Sequence, residues 1–279
     1  MNETIIVVPC YNEAERIDLE AFRRFAASNG DVHILFVNDG SRDATAKILA
    51  DFVAGRGSRF ELLDLPENAG KGEAVRQGML HALKARSRYV GFWDADLATP
   101  LDAIERFVEQ LDRRDDVQMI LGSRVRLLGR TVQRRPMRHY LGRVFATLAS
   151  LILRLPVYDT QCGAKLFRAD EQLARLLEEP FPTRWIFDVE LLARFLAHHP
   201  RGRQAAESAI YELPLDRWRD VPGSKLRPRH FVRALLDLAG ILWRYRGDRG
   251  RPQIEEPAPG IRLPAPLPMP KDQVPMTNE

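Results

Sequence analysis

Short apolar runs rich in β-branched residues alternate with amphipathic segments through the first 125 residues, and this alternation restricts the fold more than any other feature. "TIIVV" (4–8), "HILFVND" (33–39), "RFELLDL" (59–65), "RYVGFWD" (88–94) and "VQMILGS" (117–123) read as strands. Helical stretches follow Glu13 and cover Asp43–Ala54, Lys71–Ala85 and Leu101–Leu111. Strands separated by helices of this length run parallel, because the chain must cross back before each one. The expectation is an open, mostly parallel, twisted α/β sheet flanked by helices. With 45% apolar residues in 279, the chain can fill such a core.

In sheets of this kind ligands bind beyond the carboxyl ends of the strands. Those ends are Pro9-Cys10-Tyr11-Asn12-Glu13, Asn38-Asp39-Gly40-Ser41, Asn68-Ala69-Gly70-Lys71-Gly72, Asp94-Ala95-Asp96 and Gly122-Ser123-Arg124. No G-x-G-x-x-G and no G-x-x-x-x-G-K-[ST] is present, so dinucleotide and P-loop readings lose their main support. Asp94 and Asp96 close an apolar run where the chain must turn. Two carboxylates one residue apart can share a hard divalent cation, Mg²⁺ or Mn²⁺ rather than Zn²⁺, with the phosphates of a nucleotide diphosphate completing its shell. The bland alternative is a helix-start signal ahead of Leu101–Leu111.

The second half reads differently. Residues 124–143 carry seven arginines and no acid. Tyr140–Leu155 and Arg229–Arg246 are amphipathic, with arginines beside apolar faces, and suit either core packing or a membrane interface. Residues 158–168 read as a loop entering a strand, 184–199 as a helix, 209–218 as a strand, and 223–225 as a Gly-Ser-Lys loop. Residues 251–279 hold eight prolines and no periodicity, as a disordered Pro-rich tail would. Lys and Arg total 42 against 38 Asp and Glu, so the net charge of +4 matters less than its distribution. Cys10 and Cys162 lie far apart without metal-ligand spacing, which points to a reducing compartment. No signal peptide or bilayer-length apolar run is visible, so the expected location is cytoplasmic, in solution or peripheral on the inner face of a membrane.

"VVPCYNE", "VNDGSRDAT", "NAGKGEAVRQGM", "DADLATP" and "GSR" stand in the order and spacing of family 2 glycosyltransferases, which have the nucleotide-sugar-binding GT-A fold. "DTQCGAKLFR", "RWIFDVELL" and W-x-D-x-x-GSK resemble the dolichyl- and polyprenyl-phosphate sugar transferases, β-glucosyltransferases above all. The resemblance spans about residues 4–246. It implies a GT-A domain over 1–250, with a nucleotide-sugar-binding half (1–125) and an acceptor-binding half (126–250). Pro9, Tyr11, Glu13 and Asp39 resemble the uridine and ribose contacts, and Lys71 suits an anionic ligand at a helix start. Asp96 resembles the metal ligand proper, Asp94 a nucleotide contact close to the metal, and Gln161 a further oxygen ligand. Arg124 and Arg138 resemble the acceptor-phosphate clamp, a task suited to the guanidinium fork.

The implied reaction is inverting transfer of a hexose, glucose above others, from a UDP-sugar to a polyprenyl phosphate, with Lys225 and the metal stabilising the leaving diphosphate. An ionised phosphate acceptor needs no general base. A hydroxyl acceptor needs one, and Asp188 is then the candidate. Two rival readings stay open. One is a soluble family 2 transferase acting on a saccharide or other small hydroxyl acceptor. The other is a basic binding module, for which acids at the sheet mouth would repel a polyanion such as nucleic acid.

Overall fold

A computed structural model describes residues 4–55, 59–133, 136–183, 186–221 and 228–245. The alternation is realised as β1 (Thr4–Cys10), α1 (Leu19–Ser28), β2 (Val32–Asp39), α2 (Thr45–Val53), β3 (Phe60–Leu65), α3 (Lys71–Lys84), β4 (Tyr89–Trp93), α4 (Ala103–Arg113) and β5 (Met119–Ser123). There follow β6 (Thr131–Gln133), α5 (Pro136–Leu153), β7 (Ala164–Arg168), α6 (Glu171–Glu178), α7 (Phe187–Ala197), α8 (Arg203–Ser208), β8 (Ile210–Pro214), β9 (Arg217–Arg219) and α9 (Pro228–Arg244). Seven strands form one sheet in the order β3-β2-β1-β4-β7-β5-β8. Its pairings are parallel except those of β7, which enters antiparallel between β4 and β5.

Both faces of the sheet are covered, which is why β1, β2, β4 and β5 are buried almost throughout rather than in alternation. On β1, Ile6 and Val8 join Phe22, Leu49 and Phe107 from α1, α2 and α4. Ile5 and Val7 face the opposite core with Met79, Ala149, Leu177 and Phe187 from α3, α5, α6 and α7. Helix α3 lies close on the sheet because residue 78 is glycine: a Cβ there would fall 2.5 Å from Val7 Cγ1 and 2.7 Å from Val37 Cγ2. That approach sets the height of the α3 N-terminus over the strand ends. Both cysteines are free and buried, and burial pushes the Cys162 thiol up to about 11, so neither is an activated nucleophile.

The segment 209–218, read above as one strand, is two. Pro214 has no N–H to continue the ladder, and the Leu215 N–H turns aside to the Ser123 carbonyl at 2.9 Å. β9 then pairs in parallel with β6, apart from the main sheet. The short elements β6, α6 and α8 were not legible in advance. β7 and β8 complete the same sheet that β1 to β5 begin, so the two halves share one sheet. Among the described residues no helix is long and apolar enough to cross a membrane. The Pro-rich tail and the loop at 222–227 lie outside the described residues.

Phe36 anchors the β2 side, with Phe22, Phe52 and Phe60 at centroid distances of 5.1, 5.9 and 6.3 Å. Phe36→Ala is expected to cost about 3–5 kcal/mol in urea unfolding with an unchanged slope. A loss under about 1 kcal/mol would mean that the neighbouring rings collapse into the space and do not need it.

Candidate active site

The turn after β4 is pinned from below. Trp93 Nε1–H donates to the Thr99 carbonyl at 2.9 Å, and Leu97 N–H donates to the Asp94 carbonyl at 3.2 Å. Leu97 adopts φ 50°, an uncommon conformation for a side chain of its kind and one that clusters at functional sites. Asp96 accepts the Ala98 N–H at 3.1 Å. α4 does not begin until Ala103, so the carboxylate pair is not its cap and the helix-start reading fails.

Asp94 is met by Lys71 Nζ at 2.5 Å. Lys71 is the first residue of α3, and the buried Asp39 puts it there. The Asp39 carboxylate accepts the N–H groups of Ala69 and Gly70 at 2.8 and 3.0 Å and the Asn68 amide at 2.8 Å. Burial alone would lower the Lys71 pKa, but the charges of Asp94 and Asp188 outweigh it and hold the ammonium above its usual range. Asp96 is raised, first by burial and then by the charge of Asp94, with Arg16 at 3.9 Å as partial relief. Pro9 ends the apolar part of β1, and Tyr11 and Glu13 follow in a half-buried loop. That loop is laced to the next strand end by Asn12 N–H to Ser41 Oγ at 3.0 Å and Glu13 N–H to Thr45 Oγ1 at 2.8 Å.

The loop 159–163 closes the site from the second half. Asp94 N–H donates to the Gly163 carbonyl at 2.9 Å, and a Cβ at 163 would lie 1.9 Å from Asp94 Oδ2. Only glycine lets the backbone serve as a wall for that carboxylate. Arg124 projects from the end of β5, where Nε and Nη2 hold the Asp159 carboxylate at 2.6 and 2.8 Å and the guanidinium lies 5.4 Å over the Trp218 ring. Burial opposes that charge, and Asp159 more than restores it. Asp159 is placed in turn by Glu212, which accepts the N–H groups of Tyr158 and Asp159 at 2.8 and 2.7 Å.

Not every expected site residue meets the cleft. Asp188, on the first turn of α7, is only 4% exposed and takes Lys165 Nζ at 2.5 Å, so it does not stand ready as a base for an acceptor. Arg138 lies on the first turn of α5 with its side chain outside the described residues, and Lys225 lies wholly outside them. Gly163, Asp159, Glu212 and Arg16 were missed by sequence reasoning. The signal that pointed into this loop was "DTQCGAKLFR", from which only Gln161 was named.

A cation can be tested against these donors. Among the described residues no three His, Cys, Asp or Glu side chains cluster to hold a metal by themselves. Two carboxylates are present, and the Gln161 amide, in the loop that touches Asp94, has a buried Nε2 with no partner. That nitrogen is a donor and suits a substrate oxygen, so contact with a cation would fall to the two carboxylates and the Gln161 amide oxygen. Oxygen donors of this number fit Mg²⁺ or Mn²⁺ carried in with substrate phosphates.

Comparison with known proteins bears on the family and the fold. The pattern of Glycosyl transferase family 2 matches residues 5–173. The dolichyl-phosphate beta-glucosyltransferase of Drosophila melanogaster is 35% identical over 241 residues, covering 81% of this chain and 70% of that one. The dolichyl-phosphate beta-glucosyltransferase ALG5C of Trichomonas vaginalis is 32% identical over 255 residues, covering 87% and 72%. Among solved structures, glucosyl-3-phosphoglycerate synthase from Mycobacterium tuberculosis in complex with Mn²⁺, uridine diphosphate and phosphoglyceric acid aligns with a TM-score of 0.57 at 22% identity, covering 86% and 79%. The sheet and its flanking helices are therefore the GT-A fold.

Gly163→Ala should displace the Asp94 carboxylate while leaving the core intact. Calorimetry with UDP and Mn²⁺ is expected to show affinity reduced by about 10–100-fold, the usual scale for disturbing groups behind a metal site. The melting temperature should stay near the wild-type value. Unchanged affinity would remove Gly163 from the site.

Proposed function

This chain belongs to glycosyl transferase family 2, and from that premise we propose that it transfers glucose, with inversion, from UDP-glucose to dolichyl or another polyprenyl phosphate. The observation that carries the reading is the carboxylate pair on its pinned turn, with Lys71 against Asp94 and the Asp159-held Arg124 on the neighbouring strand end. Pro9, Tyr11, Glu13 and Asp39 would hold the uridine and ribose, and Asp94, Asp96 and Gln161 would hold Mg²⁺ or Mn²⁺. When bound, that ion neutralises charge on the diphosphate.

Transfer needs little from the protein beyond placement and charge. An acceptor phosphate oxygen supplies the electron pair that forms the bond to the anomeric carbon. The bond from that carbon to the β-phosphate oxygen breaks, and UDP departs with its electrons. Lys71 and Arg16 hold positive charge beside the diphosphate site, and Lys225, outside the described residues, would add to it at the leaving group. Arg124 would meet the acceptor phosphate through Nη1, the guanidinium nitrogen outside its pair with Asp159, with Arg138 as the second arm of the clamp. No base is required, which suits an Asp188 already committed to Lys165. A saccharide hydroxyl would lack that help. A nucleic acid would meet the acidic pair.

The second half offers a surface for the lipid. Helices α5 and α9 lie against each other. Tyr140 and Val144 on α5 and Leu236 and Trp243 on α9 are 69, 53, 66 and 79% exposed. Arg233 and Arg244 stand on the same helix α9, paired with Asp237 and Glu190 at 3.3 and 3.0 Å, and their remaining guanidinium nitrogens suit anionic headgroups. The free buried thiols support the cytoplasmic side of the membrane.

With UDP-glucose, Mn²⁺ and a short polyprenyl phosphate, mass spectrometry should find the glucosyl phospholipid, and excess chelator should abolish it. Arg124→Lys is expected to slow transfer by about tenfold or more while UDP affinity stays within about twofold, because an ammonium lacks the planar fork that holds Asp159 through two nitrogens and leaves a third for a phosphate. Equal losses in both would place Arg124 in the donor site. No product with any lipid phosphate, but transfer to a sugar hydroxyl, would overturn the acceptor.

Trp243→Ser with Tyr140→Ser should weaken sedimentation with phosphatidylglycerol vesicles by about tenfold or more, given about 1.5–3 kcal/mol for each large apolar side chain buried. Turnover of a water-soluble short-chain acceptor should not change. Vesicle binding at the wild-type level would dismiss this face as the contact.

A further inference from the structure

Lys165 has no exposed surface. It is the second residue of β7, opposite Phe92 on β4 and Leu121 on β5 in the middle of the sheet. Its Nζ lies 5.2 Å from the Phe92 ring centroid. All three N–H bonds of the ammonium are met: the Thr160 carbonyl at 3.0 Å, the Cys162 carbonyl at 2.7 Å and Asp188 Oδ1 at 2.5 Å.

A buried ion pair is weak evidence for stability, since apolar residues of similar size in both places commonly serve as well. The placement gives this one another use. β7 runs antiparallel, so the loop before it arrives at the edge where β4 and β5 end. Lys165 reaches back to two carbonyls of that loop and fastens them to the first turn of α7. The same loop carries Asp159, which orients Arg124, Gln161 with its unmet amide, and Gly163, whose carbonyl takes the Asp94 N–H.

We propose that Lys165 is a positioning residue for the transfer site, clamping the 159–163 loop to α7 and through it fixing Asp94 and Arg124. The proposal rests on the donor site described under the proposed function. Its ammonium touches neither substrate; it sets the wall against which they bind. Asp188 is the anchor of the clamp.

The test compares wild type, Lys165→Met and Lys165→Met/Asp188→Leu in the full chain. The single variant strands a buried carboxylate and is expected to melt lower. The double variant removes both charges and should melt cooperatively near wild type, while two loop carbonyls lose their donor. Affinity for UDP with Mn²⁺ is read by calorimetry well below each melting transition. The double variant is expected to bind about 10–100-fold more weakly, the scale for removing groups that orient a metal site. A purely structural pair would lower the melt and leave that affinity untouched. Wild-type affinity in the folded double variant overturns the proposal. So does a double variant with no cooperative melt, which would assign the pair to the core. Absence of UDP binding by the wild-type chain would instead defeat the donor-site reading itself.

Discussion

Two carboxylates at the mouth of an apolar sheet repel each other and resist burial, and they stay together only where positive charge is set against them. In this fold the charge comes from Lys71 at 2.5 Å on one side and Arg16 at 3.9 Å on the other. Much of the surrounding structure serves to hold those cations and the turn between them. Asp39 spends its carboxylate on the 68–70 loop so that α3 starts where Lys71 can reach. Gly78 lets α3 lie close enough to the sheet for the same purpose. Trp93 fixes the turn from inside the core. Arg16 is shared with Glu13 at 3.5 Å, so the carboxylate pair is only partly compensated by the protein's own cations.

Charge placement also separates the arginines by task. Arg124 is held by a bidentate carboxylate and a tryptophan ring, so its position is set by the protein alone. Arg76 and Arg194 donate to backbone carbonyls of α6 and the turn after it, and act as core fasteners. Sequence alone gives the same letter to all of them.

The first five strands and the polar strand ends were legible because the signals are local: apolar runs of five to eight residues, each followed by turn chemistry. Asp94, Asp96, Lys71, Asp39 and Arg124 could be named because they stand at those ends. The roles were harder. Asp188 read as a reachable acid because helical spacing says nothing about a lysine arriving from a distant strand. Asp159 and Glu212 were invisible because their partners lie 35 and about 54 residues away in sequence. The break at Pro214 was legible in principle, since proline cannot extend a ladder, but the alternation around it read as continuous. Gly163 stood inside "DTQCGAKLFR" with nothing local to give its role; its need arises from a carboxylate 69 residues earlier, on the neighbouring strand end.

β5 has β7 and β8 as its sheet neighbours, and both come later in the chain. During synthesis β1 to β4 can pair as they emerge, whereas β5 must wait for a strand that follows a long helix. Until β7 inserts, the sheet is two unconnected pieces, and Asp94 lacks the backbone wall beside it. Such non-local closure is slow compared with the local pairings that precede it. The order of assembly therefore places completion of the surroundings of Asp94 late. A partly folded chain would hold β1 to β4 and the Asp94 turn without the Gly163 carbonyl that takes the Asp94 N–H. The family pattern, ending at residue 173, reaches just past this closing strand.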